Sequence, residues 1–561
     1  MALAPITDFL VRLTRRGVAK CGRGVTALQM QGPGAVQFWL IAMMIGIAAG
    51  FAAVAFRLGV LALQGVFYGA DDYTLATHLA QLHWGWIIGI PIAGGLAVGL
   101  ILDFLTPDGR ARTVAHVIEG AALKDGRVDT RYGLASTLAS LITLSTGGST
   151  GREGPVVHIG AVFSSYVAKW IHADGVTGRD LMGCAVAAAV SASFNAPIAG
   201  ALFALEVVLR HFAVHAFAPI VIASVSGAVV SRLFVGDVTE FVLPDHSLEF
   251  YVEIPAFMLL GLLSGLVAAV MMWTIFVAED LGDTVQAATG LPRWARPAVA
   301  GGMLGGIAVF FPHIIGVGYE TTSRALTGGL DLWAAIIFAV VKVVAVAITI
   351  GGRMGGGVFS PSMMLGALTG LAFGSFATAV FPAVSGTVGL YALAGTGAGA
   401  AAMLGAPIST ALIIFEMTGD WQAGLAVMVS VSLSTALSSR LVKGSFFLMQ
   451  IERRGVHIAD GPQEYLLATI SVGRLMRPIT ADDPVNQTQA QELLEQGAAL
   501  TPGDTLEVAL PLFDRLSSGF LPVVRERDGD GPQELLGTIT HIDALKAYNR
   551  AMAETAREEH S

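Results

Sequence analysis

Two long apolar runs, residues 36–66 and 84–105, constrain this chain more than any other feature. Each is long enough to cross the hydrocarbon core of a bilayer, which takes about 20 apolar residues in a helix. Backbone polar groups in lipid must be satisfied within the spanning segment, so such runs are helical. The composition agrees: 54% of residues are hydrophobic and 13% charged, where soluble domains carry roughly 25% charged residues. The 68 glycines suit close helix packing in lipid. The fold class that follows is an all-α polytopic membrane protein. Arg12, Arg15, Arg16, Lys20 and Arg23 precede the first run with no cleavage-like site, so segment 1–35 reads as cytoplasmic and not as a secretory signal. A net charge of −9 gives no sign of nucleic-acid binding. Cys21 and Cys184 make neither a disulfide framework nor a metal-ligand spacing. No nucleophile–base arrangement and no metal-ligand cluster emerges, so nothing supports an enzyme.

After residue 105 the apolar stretches become irregular. Those near 134–146, 155–171 and 180–193 are short and broken by glycine, followed by 196–212, 216–234, 253–278 and 297–311. The second half repeats the style at 332–350, 358–381, 388–404, 407–417 and 423–442. Several are too short to cross fully. Helices that end inside a membrane are tolerated where their backbone is buried in protein or lines a cavity, so interrupted helices imply a site at mid-depth. The halves also match in sequence. Residues 196–206 read APIAGALFALE and 406–416 read APISTALIIFE, ending in Glu206 and Glu416. Upstream, 147–161 and 351–367 share paired glycines, a glycine-rich bend and a proline, Pro155 or Pro361. Two matches in the same order define repeats of about 36–235 and 250–442, a pattern of transporter folds with the site between repeats.

The first bend, STGGSTGREGPVVHIGA at 145–161, is the centre of the functional reading. Glycines 147, 148, 151 and 154 let the backbone turn and approach a ligand closely, and Pro155 suits a first helical turn. Unpaired N–H groups at a helix start, with the dipole behind them, favour an anion. Glu153 lies in that positive spot, either as its permanent occupant or as a carboxylate that an incoming anion displaces. A plain helix cap with a surface ion pair is the alternative. Arg152 is expected to fix the loop through carbonyls or a carboxylate. His158, on the same helix, reads as a packed core residue, with a proton relay as its alternative. Glu206 and Glu416 read as capping or interhelical residues, and the methionines near 43, 271 and 363 as packing.

GREGP at 151–155, FNAPIAGALFALE at 194–206 and GVFSP at 357–361 resemble the CLC chloride channel and transporter family, over roughly residues 36–455. The resemblance implies a homodimer of inverted-repeat subunits in the cell (inner) membrane, each with its own pathway for an inorganic anion. It implies that Glu153 is the gate, that Gly151, Arg152 and Gly154 shape its loop, and that N–H groups near Val358 and Phe359 bind the anion. Three departures bear on mechanism. The family's serine motif corresponds to Ala-Arg-Thr-Val-Ala at 111–115, which puts Arg112 at the serine in the preferred register and Thr113 there in the next. The family's pore tyrosine corresponds to Phe447, and its inner proton-relay glutamate to Val207. Conventional chloride–proton exchange is therefore not expected. Arg112 either enters the pathway and pairs with Glu153, or snorkels to an aqueous vestibule as Arg110 is expected to do. His116 is a secondary candidate for the pathway wall. The alternative function is a transport-silent sensor or scaffold in which the Arg112–Glu153 pair closes the path.

From about 443 the chain turns polar. Residues 443–469 read as a linker and 470–555 as a small cytoplasmic α/β domain, placed there by Arg453 and Arg454 at the membrane exit. GTITHID at 537–543 resembles the CBS-domain pattern, which implies ribose contacts for Thr540 and Asp543 and an adenine nucleotide as a possible ligand. The alternative is a purely structural domain. ISVGRLMRPI at 470–479 reads as a truncated first copy and 499–550 as the complete second. No other cofactor and no metal is expected.

Overall fold

The computed structural model describes residues 34–212, 214–236, 250–382, 384–456, 467, 470–478, 490, 492–494, 498–516, 518–525 and 534–560. The basic cluster before residue 34, Cys21 and residues 457–466 of the nominal linker lie outside them. Contacts divide the chain into a helical unit that ends at Arg454 and a second unit made of His211–Ala216 and the chain from Gly455.

The helical unit begins with α1 (Ala35–Tyr68), α2 (Leu75–Leu79), α3 (Trp84–Leu105), α4 (Val114–Leu123), α5 (Thr130–Thr146) and α6 (Glu153–Trp170). Next come α7 (Gly175–Phe194), α8 (Pro197–Phe203) with a π-helical extension Ala204–Leu209, and α9 (Val214–Val235). The second half holds α10 (Phe250–Thr289), α11 (Arg296–Phe310), α12 (Tyr319–Leu326), α13 (Leu332–Gly351) and α14 (Phe359–Val380). It closes with α15 (Val388–Leu404), α16 (Pro407–Thr418), α17 (Trp421–Val442) and α18 (Phe446–Glu452). Among the described residues, seven helices are long and apolar enough to cross a membrane, while Val114–Leu123, Pro197–Leu209, Val388–Leu404 and Pro407–Thr418 are apolar but shorter. The interrupted stretches of the sequence are thus real helices that stop short. α18 falls inside the nominal linker but belongs to the helical unit, with Phe446 and Phe447 buried.

Two helices are enclosed almost all round, as expected where apolar residues occupy every face. In α7 every residue from Leu181 to Phe194 is buried, and in α15 every residue from Gly389 to Leu404. Both are rich in glycine and alanine, which lets neighbouring backbones approach. One close approach joins α14 and α15: a Cβ added at Gly366 would lie 2.1 Å from the Gly395 carbonyl oxygen, and one at Gly395 2.3 Å from that of Gly366.

The sequence repeat is a mutual cap. The N–H groups of Ile198 and Ala199, at the start of α8, donate to Glu416 at 3.0 and 2.7 Å. Those of Ile408 and Ser409, at the start of α16, donate to Glu206 at 3.0 and 2.7 Å. Each carboxylate satisfies the orphan donors of the other half's helix, where the dipole also favours it. The expectation that these acids cap helices holds.

The C-terminal unit carries a three-stranded antiparallel sheet in the order β1-β3-β2, from β1 (Arg477–Pro478), β2 (Phe520–Arg525) and β3 (Glu534–Thr540). α19 (Val472–Leu475), α20 (Leu506–Leu516) and α21 (His541–His560) complete it. Val472 joins Leu506, Phe513, Val523 and Ile539 in one core, and Arg477 pairs with Thr538 in the sheet. Residues 470–478 are therefore built into a single small domain instead of forming a separate first copy.

Glu206→Ala and Glu416→Ala each remove one charged cap that accepts from two backbone N–H groups, and each is expected to destabilise the protein by about 1–2 kcal/mol. Thermal unfolding in detergent checks this; melting temperatures equal to wild type in both variants would contradict the mutual cap.

Candidate anion site

The site is made by two bends that meet. α5 ends at Gly147, whose φ of 116° only glycine adopts readily, and the chain turns through Gly148 and Gly151 into α6. In the second half the chain leaves α13 and turns through Gly356, at φ 136°, into α14. Gly151 N–H donates to the Gly357 carbonyl at 2.7 Å, and Gly357 N–H to the Gly151 carbonyl at 2.9 Å. This two-bond bridge leaves no room for side chains. A Cβ at Gly357 would lie 3.0 Å from Gly154 N and 3.3 Å from its Cα. One at Gly151 would lie 2.7 Å from Glu153 Oε2 and 3.1 Å from Ser360 N.

The bridge sets the starts of α6 and α14, Glu153 and Phe359, side by side. Glu153 is 3% exposed, and its Oε1 accepts the Ser360 hydroxyl from the opposite half. Arg152 Nε stands 4.0 Å from the same oxygen. Its guanidinium lies over the Tyr319 ring at 4.8 Å and reaches the Ser193 carbonyl at 3.5 Å. Arg152 thus fixes the loop through a carbonyl, a ring and the neighbouring carboxylate.

Two further helix starts border the same space. Thr113 is the N-cap of α4, and its N–H donates to His116 Nδ1 at 3.1 Å. The Thr113 hydroxyl donates to Gln450 Oε1 at 3.0 Å. Phe446 and Phe447 begin α18, with Phe446 stacked on Phe276 at 5.3 Å. A cavity of about 300 Å³ is lined by Thr113 and Val114, Glu153 and Gly154, Val358 and Phe359, and Phe446 and Phe447. Each pair opens a different helix, so the free N–H ends of four helices surround one space. Phe194 and Phe203 close it against Phe359, at 4.7 and 6.4 Å between ring centres. Toward the mouth, Asp283 binds Arg110 at 2.8 Å and Arg353 at 3.0 Å, and also binds Arg296; Arg453 pairs with Asp280.

Arg112 does not pair with Glu153. Its guanidinium binds both oxygens of Asp108, at 2.9 and 3.2 Å, and lies over the Tyr132 ring. Its backbone N–H donates to the Ser136 hydroxyl at 2.7 Å, which holds the strand of loop that carries it. The reason is local: Asp108 is the nearer carboxylate and is partly solvated, so the pair forms without stripping both charges of water. Arg112 and His116 both border the cavity, with 3.2 Å between guanidinium and ring nitrogen.

His158 is buried, but five residues of helix carry it about 140° round from Glu153. Val157, on the Glu153 face, lines the cavity instead. His158 packs where a Cβ at Gly133 would lie 2.9 Å from its Nε2, so it is a core residue. Val207 is buried in the π-helical extension and is not part of the lining. Thr540 and Asp543 belong to the C-terminal unit. There the Thr540 hydroxyl accepts Asp543 N–H at 3.1 Å, and Arg477 binds the Asp543 carboxylate at 2.8 Å. The Thr540 hydroxyl first, and then the guanidinium, hold that carboxyl below its usual range.

Three partners escaped the sequence reading. Ser360 was in view, since GVFSP mirrors GREGP and places it opposite Gly154. Asp108 lies four residues before Arg112, but in a loop where that spacing carries no geometric meaning. Gln450 had no local signal, because only the tertiary fold brings α18 to α4.

Interrupted helices whose starts converge on a buried, cation-bordered space define a membrane protein that handles anions. The chain belongs to the voltage gated chloride channel family, whose family model matches residues 94–439. A putative chloride channel protein, ClcB-like, of Ralstonia nicotianae is 32% identical over 395 residues, spanning 70% of this chain and 91% of the relative. The voltage-gated ClC-type chloride channel ClcB of Escherichia coli is 29% identical over 413 residues, spanning 73% and 97%. The fold is that of a slow cyanobacterial Cl−/H+ antiporter, with a TM-score of 0.64 at 19% identity over 74% of this chain and 97% of that one. A eukaryotic CLC transporter gives a TM-score of 0.64 at 20% identity over 90% and 97%. Family members are channels or transporters and not enzymes.

Gly357→Ala is expected to force the two helix starts apart and destabilise the protein by about 1–3 kcal/mol. Gly306→Ala, where an added Cβ meets nothing within 4 Å, serves as the control. Equal melting temperatures for the two variants would contradict the bridge.

Proposed function

We propose that the protein is an acid-activated channel or transporter for anions of the chloride class, with Glu153 as its gate. The observation that carries this reading is the seat of the Glu153 carboxylate, buried where the starts of α6 and α14 meet. Ionised, Glu153 fills the spot that favours negative charge. Protonation removes its charge, and an anion then competes for the N–H groups at Gly154, Val358 and Phe359. We assign the serine-like hydroxyl to Thr113, because α4 starts at the next residue. Phe447 offers the positive edge of its ring in place of a hydroxyl. With valine at 207 there is no inner acid, so obligatory proton exchange is not part of the proposal.

The alternative, a silent sensor plugged by an Arg112–Glu153 pair, is weakened by the attachment of Arg112 to Asp108. Arg112 acts instead as a fixed positive wall of the inner vestibule. We further propose a homodimer in the cell (inner) membrane with both termini cytoplasmic, and a CBS-like C-terminal domain with a structural role. The pairing of Asp543 with Arg477 supports the structural role, since that carboxylate is the expected ribose ligand.

Glu153→Gln mimics the protonated gate. In liposomes its chloride flux is expected to be high at neutral pH and nearly flat between pH 4 and pH 8, where wild type rises on acidification. Wild-type pH dependence in the variant would refute the gate. AMP or ATP is expected to leave the melting temperature of the full chain unchanged; a rise of several degrees with either would return Thr540 and Asp543 to nucleotide binding.

A further inference from the structure

A fully buried cation lies behind the gate and takes no part in the mechanism above. Lys342 sits midway along α13 and is 0% exposed. A lysine inside a membrane protein is costly unless its ammonium is satisfied, and such residues commonly mark function. Lys342 Nζ donates to the carbonyls of Ile314 and Gly316, at 3.2 and 3.3 Å. That short segment touches the gate loop twice. Gly316 N–H donates to the Gly148 carbonyl at 3.1 Å. Three residues on, the Tyr319 ring carries Arg152, the neighbour of Glu153. Gly316 and Gly318 have positive φ, and a Cβ at Gly318 would lie 3.5 Å from Lys342 Nζ. The same helix holds the loop directly, since Ser149 N–H donates to Thr349 Oγ1 at 3.0 Å.

The opposite charge beside this segment is Asp72, itself 5% exposed, whose Oδ1 would lie 3.6 Å from a Cβ at Gly316, the residue whose carbonyl accepts from Lys342. Gln64 Nε2 donates to Asp72 Oδ1 at 2.7 Å and reaches the Leu144 carbonyl, at the end of α5, at 3.4 Å. The buried charges therefore grip both sides of the loop that presents Glu153. His313 also borders Lys342. Around the gate cavity the charged or titratable groups among the described residues are Arg152, Asp108, Arg110, Arg112, His116, Glu279, Asp280, Asp283, Arg296, Arg353, Arg453 and Arg454, with His158 on the gate's own helix.

We propose that Lys342 is a positioning residue for the gate: its buried charge, balanced by Asp72, holds the 314–319 segment against the gate loop and sets how readily Glu153 gives up its ionised, seated state. This rests on the gate reading of Glu153. The positive charge favours the seated carboxylate, and Asp72 tempers it. The test is chloride efflux from liposomes containing the full-length protein, measured as the pH of half-activation. In Lys342→Met the seated carboxylate loses support, so half-activation moves to higher pH, by roughly half a unit or more. In Asp72→Asn the lysine is left unbalanced, so half-activation moves to lower pH. The double variant returns toward wild type, a pattern that mere loosening of the structure would not give. Unchanged half-activation in both single variants, or shifts of the same sign, overturns the inference. If Lys342→Met does not fold, Asp72→Asn decides alone, and a half-activation pH at or above wild type overturns it. A Glu153→Gln protein that keeps wild-type acid activation overturns instead the gate assignment beneath it.

Discussion

Everything at the centre of this molecule depends on two reciprocal backbone hydrogen bonds between Gly151 and Gly357. They join residues 206 positions apart, and among the described residues this is the one reciprocal backbone bridge between the halves. The bond pair fixes distance and angle together, as a strand pair does, and so sets two helix starts side by side. Both positions are tight against a Cβ: at Gly151 it would meet the Glu153 carboxylate and Ser360 N, and at Gly357 the Gly154 backbone. A positive spot in mid-membrane would otherwise be expensive to build from side chains. Here it is made of main-chain dipoles, which carry no net charge into the lipid.

The same economy governs the buried charges. Arg152 rests on a ring and a carbonyl, Arg296 on the Gly351 carbonyl, and Lys342 on two carbonyls. Glu206 and Glu416 face backbone N–H groups. Isolated buried ion pairs gain little over their desolvation, whereas carbonyls freed by a bend or a helix end need a donor in any case. Broken helices thus create both the site and the partners for the charges around it.

Much of this was legible in the chain. Hydropathy alone predicts α3 at its observed limits, 84–105, and α15 at 388–404. The glycines at 151 and 154 mark the bend, and the APIxxALxxxE repeat marks the mutual cap. What stayed hidden depends on direction more than on position. The interval from Glu153 to His158 suggests proximity, yet helical rotation turns the histidine into the core. Arg112 sits in a loop without periodicity, so its choice of Asp108 over Glu153 had no sequence signature. Lys342 stands out as a charge in an apolar run, but its effect passes through Gly316 to Gly148, a contact between distant segments that only the fold creates.

The two halves are built alike but are not charged alike. Where the first half places Glu153, the second places Phe359, and where the first has Gly154 the second has Ser360. Both helix starts bring positive dipole ends to the centre, while one carboxylate answers them. With Glu153 seated, the spot is close to balanced. In the proposed mechanism, a neutral Glu153 leaves two positive ends and the arginine-bordered vestibule facing that position, and an anion is the species that restores balance. A symmetric scaffold with a glutamate in both halves would hold two negative charges within a few ångströms and resist occupancy by a third. One with none would bind an anion with no internal competitor. Under the gating proposed above, the single carboxylate between duplicated helix ends is the feature by which the protein's own charge holds the site shut and a proton opens it.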